Sequence, residues 1–283
     1  MRRLCVPLPS HPLPQVTTQT STTSRWTRPA SRRSLQDVIA IILRNGGRVS
    51  PALSIPGITI NVFKVDWLHA VDQGVGADFA GAMLWHIMKK LPGRRRAEKS
   101  DELWRLIQAH YDAHSTPDRL HDFNERTVKS KKAYPKFRGQ AAILRHLIPF
   151  CKEAAEKYCV SGSTVDDAVL NAMRHLHTCY HTLSGQCIFR QDLLRDSASR
   201  FVTLFSSLAT LQPRNWRVKP KAHLLLEMAF AGGQPSLCWT YRGEAFGGSV
   251  GHVAKRRGSA LTATGFSRAV LARHRMQPMV RLV

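Results

Sequence analysis

An aspartate and a histidine stand three apart in KVDWLHAVDQGVGADFAGAMLWHIM, residues 64–88: Asp66 and His69. A carboxylate with an imidazole at that spacing suits two different jobs. At the end of a strand, Asp66 is placed to offer oxygen to a divalent metal. At the start of a helix, the same carboxylate accepts backbone amides as a cap, with His69 inside the first turn. A second acid, Glu244, stands alone in CWTYRGEAFGGSVGHVAKRRG, between Arg242 and the cations Lys255, Arg256 and Arg257. A carboxylate in cationic surroundings suits a metal ion facing a phosphate. It equally suits the positive first turn of a helix. A third cluster, HLHTCYH, offers His175, His177, Cys179 and His181. On a helix, His177 and His181 share one face while His175 and Cys179 share another, so the four cannot converge on one ion. No glutamate follows His177 in the zinc-protease pattern, and packing of ring-sized side chains is the expected role of this segment.

Charge bounds the partner more firmly than any of these sites. The 283-residue chain carries 42 lysines and arginines against 19 acids, a net charge of +23. An excess of that size points to a polyanion, and nucleic acid is the commonest one. The cations gather in three loops. KKLPGRRR, residues 89–96, contains Arg94, Arg95 and Arg96. ERTVKSKKAYPKFR, residues 125–138, interleaves Tyr134 and Phe137 with cations that include Lys129, Lys131, Lys132, Lys136 and Arg138. PRNWRVKPK spans residues 213–221. Lysines and arginines in these loops would neutralise phosphates, and the aromatics would stack on bases. The expected partner is DNA bound without sequence preference, with RNA as the alternative. Taken singly, each loop also reads as ordinary solvated chain.

Helices must position most of these residues. SLQDVIAIILRNGG reads as a short helix capped by Ser34, with Asp37 in its first turn and Gly46 or Gly47 at its end. PGITINVFKV is the best strand, β-branched and aromatic after a proline–glycine break. Asp66 would stand at its end, and a helix would begin near Asp72 or Gly74. Val75, Phe79, Met83 and Ile87 form its apolar stripe. Ser100 would cap the next helix, with Leu103, Leu106, Ile107 and Tyr111 on one face. KFRGQAAILRHLIPFCKEAAEKYC, STVDDAVLNAMRHLHTCYHTL, FRQDLLRDSASRFVTLFSSLATL and PKAHLLLEMAF read as four more helices, the second opened by Ser163 or Thr164. A last one covers SRAVLARHRM. The expected class is mainly α, with one or few β-strands. No apolar run reaches the roughly 18 residues of a membrane span.

The six cysteines, Cys5, Cys151, Cys159, Cys179, Cys187 and Cys238, contain no C-x-x-C pair, so no zinc ribbon is expected and the thiols read as free. Residues 1–33 hold six arginines, no acid, and prolines at 7, 9, 12 and 14. That composition predicts a disordered basic tail rather than an amphipathic transit helix. The expected organisation is this tail, a helical body over 34–258, and a basic C-terminal helix and tail over 259–283.

FKVDWLHAVDQGVGADFAGAML resembles a marker segment of transposases of the CACTA type and their relatives. There, an Asp-x-x-His, a glycine and a hydrophobic helix lie between the second and third catalytic acids; here they are Asp66, His69, Gly74 and the helix from Gly76. WRVKPKAHLLLEM resembles the family's Lys-Pro-Lys-x-His segment, at Lys219, Pro220, Lys221 and His223. WTYRGEAFGG resembles the segment that carries the third catalytic acid, which falls on Glu244. The resemblance covers roughly residues 55–258. It implies a ribonuclease H-like core in which carboxylates hold two magnesium ions for phosphodiester cleavage and strand transfer. Glu244 and Asp66 would be the metal ligands remaining in this chain.

The family's first two catalytic aspartates precede the marker, whereas the only acid before Asp66 here is Asp37. The resemblance therefore implies the C-terminal part of such a transposase: a helical insertion and a late catalytic helix with a vestigial Glu244. Such a chain is expected to be nuclear, catalytically inactive and without a cofactor of its own, while the intact ancestral enzyme would use Mg2+. Two other readings stand beside it. One is a basic helical DNA- or RNA-binding module unrelated to transposition. The other is an organelle-targeted protein of mitochondrion or plastid.

Overall fold

A computed structural model describes residues 34–59, 64–129 and 134–241, and beyond them residues 244, 247 and 248. Helix makes up 66% and no strand occurs among the described residues, which bears out the mainly α class. The centre of the expected strand, residues 60–63, lies outside them, and its flanks at 58–59 and 64–65 are not in strand conformation. The N-terminal tail, the expected helix over SRAVLARHRM, Lys131 and Lys132 also lie outside the described residues. Packing divides the chain into two units, Met1–Cys238 and Trp239–Val283.

Helix α1, Leu35–Arg44, begins where the sequence places it. Ser34 Oγ accepts the Asp37 amide at 3.1 Å, and Asp37 Oδ2 accepts the Ser34 amide at 2.8 Å, a reciprocal cap. No residue of α1 is buried. A π-helical segment, Leu68–Val75, runs through a kink at Gly74 into α2, Gly76–Met88. The expected stripe of Val75, Phe79, Met83 and Ile87 is fully buried, but so is every other residue of α2 except His86. A helix without a polar face belongs inside the protein, and α2 is the central element of the first unit.

The remaining helices surround it: α3, Arg96–Ala113; the single turn α4, Glu125–Val128; α5, Ala141–Tyr158; α6, Thr164–Thr182; α7, Gln191–Leu211; and α8, Lys221–Ala231. Phe79 of α2 meets Phe201 and Phe205 of α7 edge-on, with ring centroids 5.1 and 5.4 Å apart, and Trp216 at 5.6 Å. Such aromatic contacts add about 0.5–1.5 kcal/mol each to the area they bury. Ser163 caps α6, its Oγ accepting the Asp166 amide at 3.4 Å.

The cap expected at Ser100 is not observed. Glu98 Oε2 accepts the amides of Arg94 and Arg95 at 2.8 and 3.4 Å, so α3 starts a turn earlier and Ser100 lies buried inside it. Of the rest of the expected face, Leu103, Ile107 and Tyr111 are buried and Leu106 is half-buried.

Candidate functional site

The Asp66–His69 pair takes the capping arrangement. Asp66 Oδ2 accepts the His69 amide at 3.1 Å and lies 2.5 Å from His69 Nδ1. The helical path therefore opens at Leu68, earlier than the start near Asp72 or Gly74 that the sequence suggests. Asp72 is buried in the next turn and accepts the Tyr180 hydroxyl of α6 at 2.5 Å. Asp78, in the first turn of α2 and also buried, accepts the Lys219 ammonium at 2.6 Å.

Lys219 and Lys221 reach this segment from the entrance of α8, although 141 residues separate Lys219 from Asp78. Lys221 Nζ donates to the His69 carbonyl at 2.6 Å. A Cβ on Gly74 would lie 2.6 Å from Lys221 Cδ, so the missing side chain is what lets the lysine stem lie across the kink. Lys136 arrives from the second basic loop, its Nζ donating to the Gln73 carbonyl at 2.9 Å and standing 3.8 Å from Asp78 Oδ1. Two ammonium groups thus face one buried carboxylate, and a third, that of Lys221, lies on the His69 carbonyl within its electrostatic reach. Burial first, then the charge of Lys136, lowers the pKa of Lys221 below the usual lysine value, and Asp78 partly offsets this. Lys136 and Lys219 keep more than a third of their side chains exposed. His223 lies in the first turn of α8, with Nε2 3.9 Å from Glu227 Oε2.

All three basic loops meet on this side of the first unit. Lys89 Nζ donates to Asn215 Oδ1 at 3.4 Å, joining the first loop to the third. Arg96 Nη1 donates to Glu125 Oε1 at 3.2 Å, joining the first to the second. The Arg217 guanidinium lies over the Tyr134 ring at 5.0 Å, joining the third to the second. Lys89 and Arg96 also lie over Trp85, 5.4 and 5.6 Å from the ring centroid. Burial, followed by the charges of Arg96 and Lys129, lowers the pKa of Lys89. Arg94, Arg95, Arg138, Arg214 and Arg217 are exposed. Arg95 pairs with Glu98 at 2.7 Å, but an exposed pair of this kind is worth about 0–1 kcal/mol.

One expectation for this surface fails. Phe137 is 2% exposed and fills the core beside α2, so it does not stack on a base. Its amide donates to the Ala77 carbonyl at 2.9 Å, which draws the chain down onto α2 at Gly81. Tyr134, at 39%, keeps an accessible ring.

The other candidates have different surroundings. Cys179 is fully buried, which pushes its thiol well above the usual range. His177 and His181 stack with ring centroids 6.3 Å apart, and burial lowers the pKa of both His175 and His177. HLHTCYH thus serves packing. Glu244 belongs to the second unit; it is exposed, and its amide donates to the Thr240 carbonyl at 2.8 Å in a helical turn.

Sequence reasoning missed two groups. Asp166 accepts Lys90, His86 Nε2 at 2.7 Å and the Val160 amide at 2.8 Å. Burial opposes its charged form, but the Lys90 ammonium, the Val160 amide and the His86 ring outweigh burial and hold its carboxyl at about 2. The second group joins His110 and His114 of α3 to Glu153 of α5. Its only local signal was the i,i+4 spacing in HYDAH. The chain matches no protein-family model, no curated protein and no solved structure.

Proposed function

We propose that this chain binds nucleic acid, duplex DNA foremost, without sequence preference, through the face where its three basic loops meet. The observation that carries this reading is their convergence. Loops separated by long stretches of chain are tied to one another by Lys89–Asn215, Arg96–Glu125 and Arg217–Tyr134. Scattered solvated loops would have no reason to share one side. Lys136 and Lys219 stand at the single carboxylate of Asp78, with Lys221 beside them on the His69 carbonyl, which leaves an excess of positive charge there. Phosphates are the complementary groups, and Tyr134 offers a ring for a base or sugar.

The experiment is a salt titration of duplex DNA binding by the full chain. Each phosphate contact adds about 0.9 to the slope of log affinity against log salt. Arg94, Arg138 and Arg214 are exposed, one in each loop. Replacing each by Ala should lower the slope by about one and weaken all DNA sequences alike. Affinity that does not change with salt, or a triple variant that binds as tightly as the natural chain, would end the reading.

The same proposal includes descent from a CACTA-like transposase, with the first unit as the helical insertion of a ribonuclease H-like enzyme and nuclear DNA as its setting. Its support is that the two resembling segments of the first unit pack together, Lys221 reaching the His69 carbonyl across 152 residues. In this reading Glu244 is a relic of the metal site, and Asp66 has been given over to capping.

A further inference from the structure

Three groups that play no part in the basic face meet where α3 ends against α5. His110 and His114 lie one turn apart at the C-terminal end of α3, and Glu153 approaches from α5. His110 Nδ1 is 2.9 Å from Glu153 Oε2, and His114 Nε2 is 4.0 Å from Glu153 Oε1. All three donor atoms lie within 4.8 Å of one another. A tetrahedral zinc ion with bonds of about 2.0–2.1 Å holds its ligands roughly 3.4 Å apart. The His110 and His114 rings lie 4.2 Å apart at 30°, so convergence requires the exposed His114 ring and Glu153 carboxylate to turn toward His110.

A histidine–carboxylate hydrogen bond explains the His110–Glu153 contact, and His114 is brought to the same carboxylate by a bond to its own helix and by its ring lying 4.2 Å from that of His110. His114 Nδ1 is 3.0 Å from the His110 carbonyl oxygen, which can only accept. That contact places a proton on Nδ1, so Nε2, the nitrogen nearer Glu153, is the one left to ligate in the neutral ring. This is the backbone anchoring that metal-ligating histidines use to fix their tautomer. The His110 side chain is 4% exposed and held by Phe150, with ring centroids 5.6 Å apart, so its ring is in place before any ion arrives, and Nδ1 gives up the proton it shares with Glu153 when the ion binds. The carbonyl end of α3 adds a negative partial charge that favours a cation. Two imidazoles with one carboxylate suit zinc rather than magnesium or calcium, which prefer all-oxygen shells.

We propose that His110, His114 and Glu153 bind a divalent transition-metal ion, zinc foremost, which clamps the end of α3 to α5. His114 and Glu153 are each about half exposed, at 55% and 51%, so water can complete the tetrahedron.

The test uses the full chain, made without a polyhistidine tag and stripped with a chelator. Zn2+ is titrated by calorimetry and Co2+ by visible absorption. About one ion should bind per chain, and cobalt should give the d–d bands of a nitrogen–oxygen tetrahedral site without thiolate charge transfer. His114→Ala and Glu153→Gln should each weaken binding at least tenfold. Both positions face solvent, and unchanged far-ultraviolet circular dichroism would show that the variants fold. His177→Ala should bind as the natural chain does. No saturable binding, equal binding in His114→Ala and Glu153→Gln, or a thiolate charge-transfer band would overturn the proposal.

Discussion

Replacing Gly81 by alanine should break the link between the core and the basic face. A Cβ at position 81 would stand 2.1 Å from Phe137 N, 2.2 Å from Lys136 C and 2.5 Å from Lys136 Cα. All three are backbone atoms, so no rotamer change relieves the clash. The chain around Lys136 and Phe137 must lift off α2, and the Phe137 N–H bond to the Ala77 carbonyl must lengthen or break. Overpacking a core costs about 1–3 kcal/mol. Leaving a buried amide without its partner costs about 1–3 kcal/mol more. Alanine returns about 1 kcal/mol of helix propensity over glycine. The net loss is centred near 3 kcal/mol, or about 6–12 °C in melting temperature for a domain of this size. Thermal and urea denaturation followed by circular dichroism would measure it. The same displacement carries Lys136 away from Asp78 and the Gln73 carbonyl, so DNA affinity should fall although no charge has been removed. A Gly81→Ala chain as stable as the natural one would refute the argument, because it would mean that the second basic loop does not cross α2 at this glycine.

Two further outcomes follow from buried polar groups. Ser100 Oγ is buried without a hydrogen-bond partner inside α3, so Ser100→Ala should raise stability by roughly 1 kcal/mol, from desolvation relieved and helix propensity gained; an equal loss by urea denaturation would mean that the hydroxyl has a partner. Asp166 is held at about 2, below its unfolded value of about 3.9, so its stabilisation is complete above about pH 4 and is lost as the pH falls toward 2. The shift corresponds to about 2 kcal/mol. Urea unfolding between pH 6 and pH 2 should therefore cost the natural chain that much more stability than Asp166→Asn, and parallel profiles would contradict the assignment.

What could be read in the sequence was local. The caps at Ser34 and Ser163 and the stripe through Val75, Phe79, Met83 and Ile87 depend on residues within two turns of each other, and each is found in place. Both readings of Asp66 were also visible, because a capping carboxylate and a metal ligand use the same atoms. Phe137 was misread because an aromatic among lysines has the composition of a base-stacking loop. Its burial is decided by Gly81, which is remote in sequence. The partners of Asp72 and Asp78, 108 and 141 residues away, had no local signal. Nor did Glu153, 43 residues from His110. Periodicity tells which face of a helix is apolar, but not which helix end meets which loop.

The acids between residues 66 and 78 make sense as the foundation of a cationic surface. Asp66 fixes the start of the helical path through His69, Asp72 ties it to α6 through Tyr180, and Asp78 ties it to the entrance of α8 through Lys219. Lysines gathered on one side repel one another, and that repulsion works against the compact state. A carboxylate beneath them reduces the repulsion without occupying the exposed faces of the ammonium groups. Asp78 has that place: its side chain is 6% exposed, whereas Lys136 and Lys219 are 37% and 39% exposed. The carbonyls of His69 and Gln73 add two more acceptors from the same π-helical segment. A carbonyl oxygen has two lone pairs, so it can take a lysine in addition to a bond of the backbone ladder. Acidic residues in a chain of charge +23 need not be catalytic to be indispensable. Here they hold Lys136, Lys219 and Lys221 together on one side of the first unit.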